Sequence, residues 1–127
     1  MKVNCKKELI EWNGKLYPCT TSITMDIIGG KWKSVILQHL SYGPLRYSEL
    51  RKTMPSATER TLSLQLKQLE KDGILSRRVL VAKPPQKVEY ALTELGKTLV
   101  PLLEMIARWG AETAGLQARI VRVEDRK

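Results

Sequence analysis

Between residues 56 and 72, the side chains best suited to directional hydrogen bonding lie on one side of an apolar repeat. Leu62, Leu66 and Leu69 recur at the three-to-four-residue spacing of a helix. Stepping 100° per residue away from that stripe places Arg60, Leu64, Lys67 and Lys71 near the opposite side, with Thr61, Ser63 and Gln68 flanking them. The chemistry this face offers is recognition without bond making. A guanidinium such as Arg60 can bond two acceptors on guanine, the Gln68 amide matches adenine, and the Thr61 and Ser63 hydroxyls can bond bases or phosphate. Leu64 has two available uses, contact with a thymine methyl or packing on a neighbouring element. Lys67 and Lys71 lie further along, where contact with phosphate and little base discrimination is expected.

Bond-making chemistry has no comparable constellation. His39 is the only histidine, and it stands beside an apolar helical stripe with no nucleophile or carboxylate at a recognisable spacing. Cys5 and Cys19 are too few for a disulfide framework and lack a CxxC spacing, so neither a metal nor another cofactor is expected. The expectation is a protein that is not an enzyme.

The charge balance fits the same reading. In 127 residues, 22 Lys and Arg against 13 Asp and Glu give a net charge of +9, which attracts polyanions whatever the fold. The basic residues are spread over several segments and not gathered on one amphipathic helix, so nucleic acid is favoured over a membrane surface. No apolar run approaches the roughly 18 residues that span a bilayer, and residues 1–8 carry no readable secretory signal, so the cytoplasm is the expected compartment. A sequence-independent nucleic-acid binder is the alternative, since charge alone suffices for that.

The elements that must position the recognition face follow from periodicity and turn signals. Residues 1–18 read as an arm with a turn at Asn13-Gly14. Ile23, Ile27 and Ile28 predict a helix ending at Gly29-Gly30; Trp32, Val35, Ile36 and Leu40 predict a second that stops before Pro44. Tyr47, Leu50 and Met54 predict a short helix ending at Pro55, preceded by Arg46. Ser56-Ala57-Thr58-Glu59 matches a capping box and predicts that the recognition helix begins there, with Ser56 and Thr58 at its start. Two strands, within 74–81 and 88–92, predict a hairpin whose tip holds Pro84-Pro85, with Arg77, Arg78, Lys83 and Lys87 available to follow a duplex backbone or reach its minor groove. Thr93 then caps one long helix carrying Leu95, Leu99, Leu102, Leu103, Ile106 and Trp109, kinked at Pro101. A charged tail runs from 117 to 127.

Short helix, turn and capped helix over 47–72 form a helix-turn-helix, and the hairpin over 74–92 forms a wing. The expected fold is mainly α with a small β-hairpin (α+β): a winged helix-turn-helix body over 19–92, then a C-terminal dimerisation helix and tail over 93–127. The candidate DNA-binding residues are Arg46, Ser56, Thr58, Arg60, Thr61, Ser63, Leu64, Lys67, Gln68, Lys71, Arg77, Arg78, Lys83 and Lys87. The apolar positions of the last helix exceed what one small body covers, so a homodimer is expected. A two-fold dimer sets its recognition helices roughly 34 Å apart on a pseudo-palindrome.

The segments Ile28-Gly29-Gly30-Lys31-Trp32-Lys33, Leu45-Arg46-Tyr47-Ser48-Glu49-Leu50, Leu69-Glu70-Lys71-Asp72-Gly73-Ile74 and Val88-Glu89-Tyr90-Ala91-Leu92-Thr93-Glu94-Leu95-Gly96 resemble the HxlR family of bacterial regulators, over about residues 19–110. The resemblance implies a homodimeric winged-helix transcription regulator, related in style to MarR-type regulators, that binds palindromic double-stranded DNA, with repression the commoner outcome. It also implies a place for Cys19, since several members sense oxidants or electrophiles through a cysteine just before the first helix. A helix N-terminus stabilises a thiolate, and Lys15 can add to this. Pro18 precedes Cys19 and Thr20 follows it, whereas the family pattern is Cys-Pro. The other reading of Cys19 is a small buried hydrophobe. Cys5 can pair with it only if their Cα atoms come within roughly 4 to 7 Å.

Overall fold

A computed structural model describes residues 1–115 and 117–123; the end of the charged tail, 124–127, lies outside the described residues. The chain opens with a hairpin of β1 (Ile10–Trp12) and β2 (Lys15–Tyr17), paired Ile10 with Tyr17 and Trp12 with Lys15. Asn13 and Gly14 form its two-residue turn, both at positive φ (54° and 76°), the backbone that an Asn-Gly pair tolerates and that matches strand twist. The arm is therefore partly structured. Tyr17 is buried and Trp12 packs against the core, which ties the hairpin to the body.

Helices α1 (Thr20–Ile28) and α2 (Lys33–Leu40) follow, then β3 (Leu45–Arg46), α3 (Tyr47–Thr53) and α4 (Glu59–Lys71). Strands β4 (Leu75–Val81) and β5 (Lys87–Leu92) pair antiparallel, and β3 adds to β5 in the order β3-β5-β4. That two-residue third strand is too short to be announced by alternation. The chain ends with α5 (Glu94–Lys97) and α6 (Val100–Ala114). Ile36 and Leu37 of α2, Leu50 of α3, and Leu62, Leu66 and Leu69 of α4 are fully buried together with Ile74. Sealing these six aliphatic side chains and Ile74 holds the three helices at fixed angles, each side chain contributing about 1.5–3 kcal/mol of transfer free energy.

Two expectations are corrected. The recognition helix does not start at Ser56. Ala57 is buried, its N–H donates to the Met54 carbonyl at 3.1 Å, and Arg51 Nη1 donates to its carbonyl at 2.8 Å. Those contacts hold residues 54–57 in a turn, so the cap is Thr58, whose hydroxyl accepts from the Thr61 N–H at 3.1 Å.

Nor is there one long helix kinked at Pro101. The chain divides between Lys97 and Val100, and Pro101 falls in the first turn of α6, where its missing N–H costs nothing. The Thr93 hydroxyl caps α5 by accepting from the Gly96 N–H at 3.0 Å, and it donates to the Gly73 carbonyl at 2.6 Å. Gly96 lies against the Ile74 carbonyl, in space that a Cβ would fill. This close approach fixes α5 on the base of the wing.

Candidate nucleic-acid interface

Helix α4 turns Leu62, Leu66 and Leu69 into the core and leaves Arg60, Leu64, Lys67, Gln68 and Lys71 exposed along its outer side. Leu64 is 49% exposed, so about half of it stays open to solvent. The hydroxyls are more constrained than periodicity suggests. Thr58 Oγ1 donates to Thr61 Oγ1 at 2.8 Å while accepting the Thr61 N–H, so both threonines serve the helix start and Thr61 is half-buried. Ser63 Oγ stands 3.2 Å from the Tyr47 hydroxyl, which also lies 3.5 Å from the Glu59 carbonyl. Ser56 is exposed in the turn ahead of the cap.

Tyr47 was legible only as an apolar position of α3. Its ring does pack against the core, but the hydroxyl bridges the two helices of the helix-turn-helix. No sequence signal separates a tyrosine packed by its ring from one that also orients a neighbour. Gln68 and Lys71 stand at the far end of α4, bordering a cleft of about 310 Å³ that also touches Lys15 and Lys33. The two ends of the recognition helix thus have different surroundings: the turn and Tyr47 at one, the N-terminal hairpin at the other.

The wing carries Arg77, Arg78, Lys83 and Lys87, all exposed. Arg78 lies 4.0 Å from Glu89, across from it in the β4–β5 register. Arg46, on β3, lies opposite Glu89 from the other side and reaches Glu49 at 3.5 Å. The Glu49 carboxylate also accepts the Arg46 N–H at 2.8 Å, and these contacts hold its pKa below the usual carboxylate range. Glu89 had not been picked out from sequence, because its role depends on strand register.

Of the apolar positions expected at a dimer interface, Leu103 is buried in the chain's own core and Leu99 packs against that core. Leu95, Leu102 and Ile106 remain exposed, and Trp109 is 70% exposed. Leu102 and Ile106 join Met25 and Ile28 of α1 in lining an apolar trough of about 430 Å³.

Cys19 occupies the N-cap position of α1, half-buried, with Sγ 3.3 Å from Ser22 Oγ. The Ser22 hydroxyl first, then the Ser22 backbone N–H, lower its thiol pKa; the thiol of Cys5 contributes to the same effect. Lys15 does not reach the thiol as expected. Its ammonium pairs with Asp26 at 3.3 Å, and Tyr17 donates to the same carboxylate oxygen at 2.6 Å, so the nearest carboxylate captures it. Among the described residues, no group of three or more His, Cys, Asp or Glu is placed to hold a metal ion, and no helix is long and apolar enough to cross a membrane.

Residues 27–118 match the HxlR-like helix-turn-helix family. The chain is 50% identical over 92 residues to YdeP, an uncharacterized HTH-type transcriptional regulator of Bacillus subtilis, covering 72% of this chain and 71% of that protein. Among solved structures it is similar to the redox regulator HypR in its oxidized form, with 44% identity, a TM-score of 0.69, and coverage of 81% of this chain and all of that one. It is also similar to the reduced form of the B. subtilis transcriptional regulator YodB, with 30% identity, a TM-score of 0.63, and coverage of 74% and 92%.

Proposed function

The chain belongs to the HxlR-like helix-turn-helix family of DNA-binding transcription regulators, and from that premise we propose that it is a homodimeric repressor reading a pseudo-palindromic operator. The observation that carries this is the outer side of α4. Arg60, Leu64, Lys67 and Gln68 are exposed on a helix whose opposite side is locked into the core. Arg60 and Gln68 are assigned to base edges, Leu64 to a thymine methyl, and Lys67 and Lys71 to phosphates. Ser56 and the wing residues Arg77, Arg78 and Lys83 add backbone contacts. Thr58, Thr61 and Ser63 keep the helix start in place.

Dimerisation is assigned to the exposed face formed by Leu102, Ile106 and Trp109 with Met25. Apolar side chains gathered on one face favour a partner of the same kind, and a two-fold pair presents two recognition helices to successive major grooves. The signal is assigned to Cys19. Its lowered thiol pKa, its place at the start of α1, and the likeness to a redox regulator solved in an oxidized form all support control by thiol oxidation.

The experiment is selection of bound duplexes from a random pool by the full-length protein, followed by footprinting. Two related half-sites about one helical turn apart are expected. Recovery of no shared sequence would leave only charge-driven binding and would overturn the reading.

A further inference from the structure

Across the three-stranded sheet, Arg46, Glu89 and Arg78 form one row, because Arg46 lies opposite Glu89 and Glu89 opposite Arg78. Side chains opposite one another share a face, and Lys87, two residues before Glu89, shares it too. Glu89 lies 4.0 Å from Arg78, and Glu49 lies 3.5 Å from Arg46 with both side chains near half exposed, so neither carboxylate neutralises Lys87. Among the described residues Lys87 has no ion-pair partner. The row therefore ends in surplus positive charge on the side toward α3.

That charge borders a cleft of about 250 Å³. Arg46, Tyr47 and Ser48 form one wall, at the start of α3, and Gln86 and Lys87 stand on the other, in the wing. The walls come from segments far apart along the chain, and the β3–β5 pairing fixes the distance between them. Pro85 and Val88 complete an otherwise apolar lining, and the ammonium, guanidinium, hydroxyl and amide at its rim match a tetrahedral anion with several acceptor oxygens.

We propose that this cleft seats a single phosphate of the DNA backbone, held by Arg46 and Ser48 from the helix side and by Lys87 from the wing. Helix and wing then grip the same strand as one rigid unit. Tyr47 stands between that phosphate and the recognition helix, because its hydroxyl rests on Ser63. The position of the backbone is thereby passed to the rotation of α4. The inference rests on the DNA-binding reading and adds to it a defined anion site.

The test uses the full-length protein and a duplex it selects from a random pool, remade as a series in which one phosphate at a time is an uncharged methylphosphonate. Wild type should show one phosphate per half-site whose replacement weakens binding by about tenfold or more. Arg46→Gln/Lys87→Gln should bind the parent duplex more weakly and lose nothing further from that replacement. Lys83→Gln, at the wing tip, should bind more weakly yet keep full sensitivity to it. Circular dichroism and thermal midpoints equal to wild type establish that the variants fold. The clamp is overturned if the double variant loses as much as wild type at every position, or if wild type is indifferent throughout. Failure of wild type to retain any duplex would instead defeat the DNA-binding reading, and the clamp with it.

Discussion

The hydroxyls of Tyr47 and Ser63 stand 3.2 Å apart, joining α3 to the recognition helix at a point that is otherwise exposed. One hydrogen bond of this kind contributes about 0.5–1.5 kcal/mol. Here that energy is spent on the orientation of α4. Tyr47→Phe and Ser63→Ala are each expected to weaken duplex binding by about two- to tenfold at fixed salt. The double variant should bind no worse than the poorer single one, because both changes remove the same contact. Equilibrium titration measures this, and fully additive losses would mean that Ser63 meets DNA on its own account.

Leu103 and Trp109 share α6 but have opposite surroundings, one buried and the other 70% exposed. Leu103→Ala should destabilise the fold by about 2–5 kcal/mol, read from urea denaturation at fixed protein concentration. Trp109→Ala should leave the monomer folded and shift sedimentation toward the single-chain species. Association equal to the parent's would remove this face as the dimer interface.

Tyr17 and Asp26 connect the N-terminal hairpin to α1. Their hydrogen bond pushes the Tyr17 phenol up to about 12 and, with Lys15, holds the Asp26 carboxyl below its ordinary value. The raised tyrosine pKa gives stability that is complete below its unfolded value of about 10 and is lost as pH rises toward the folded value. The lowered aspartate pKa gives stability present above about 3.9 and lost as pH falls through the folded value. Tyr17→Phe should therefore be less stable than the parent at neutral pH, with the gap closing above about pH 10 and again below about pH 4. Urea midpoints across that range test this; a gap that does not change with pH would show that the bond does not link the two groups.

Ser22 lowers the Cys19 thiol pKa more than any other group. Ser22→Ala should move the pH–rate profile for alkylation of Cys19 upward and slow the reaction at neutral pH. Diamide should loosen duplex binding by the parent and leave Cys19→Ser unaffected. Equal oxidant responses would exclude Cys19 as the sensor.

Elements long enough to bury a stripe were legible in the sequence. Leu62, Leu66 and Leu69 disclosed α4, and its outer face followed from rotation alone. What eluded the sequence depended on distant partners. The start of α4 was misplaced because Ser56-x-x-Glu59 and Thr58-x-x-Thr61 are both cap-like, and only the burial of Ala57 decides between them. Pro101 signalled a disturbance in a helix, but the boundary itself, between Lys97 and Val100, was not legible. The Asn13-Gly14 pair was read as a turn without the two short strands around it. The exposure of Arg60 and Lys67 needed only periodicity. The pairing of Tyr47 with Ser63, and the row Arg46, Glu89, Arg78, need tertiary placement and strand register.

Sequence reading by α4 depends most on Arg60 meeting the edge of a base from the helix's exposed side. The decisive measurement is the affinity of Arg60→Ala for the selected duplex and for an unrelated one, at the same salt concentration. A loss of about 1–3 kcal/mol on the selected duplex, with relaxed preference at one position of each half-site and little change on unrelated DNA, is predicted. Unchanged affinity for the selected duplex would contradict it.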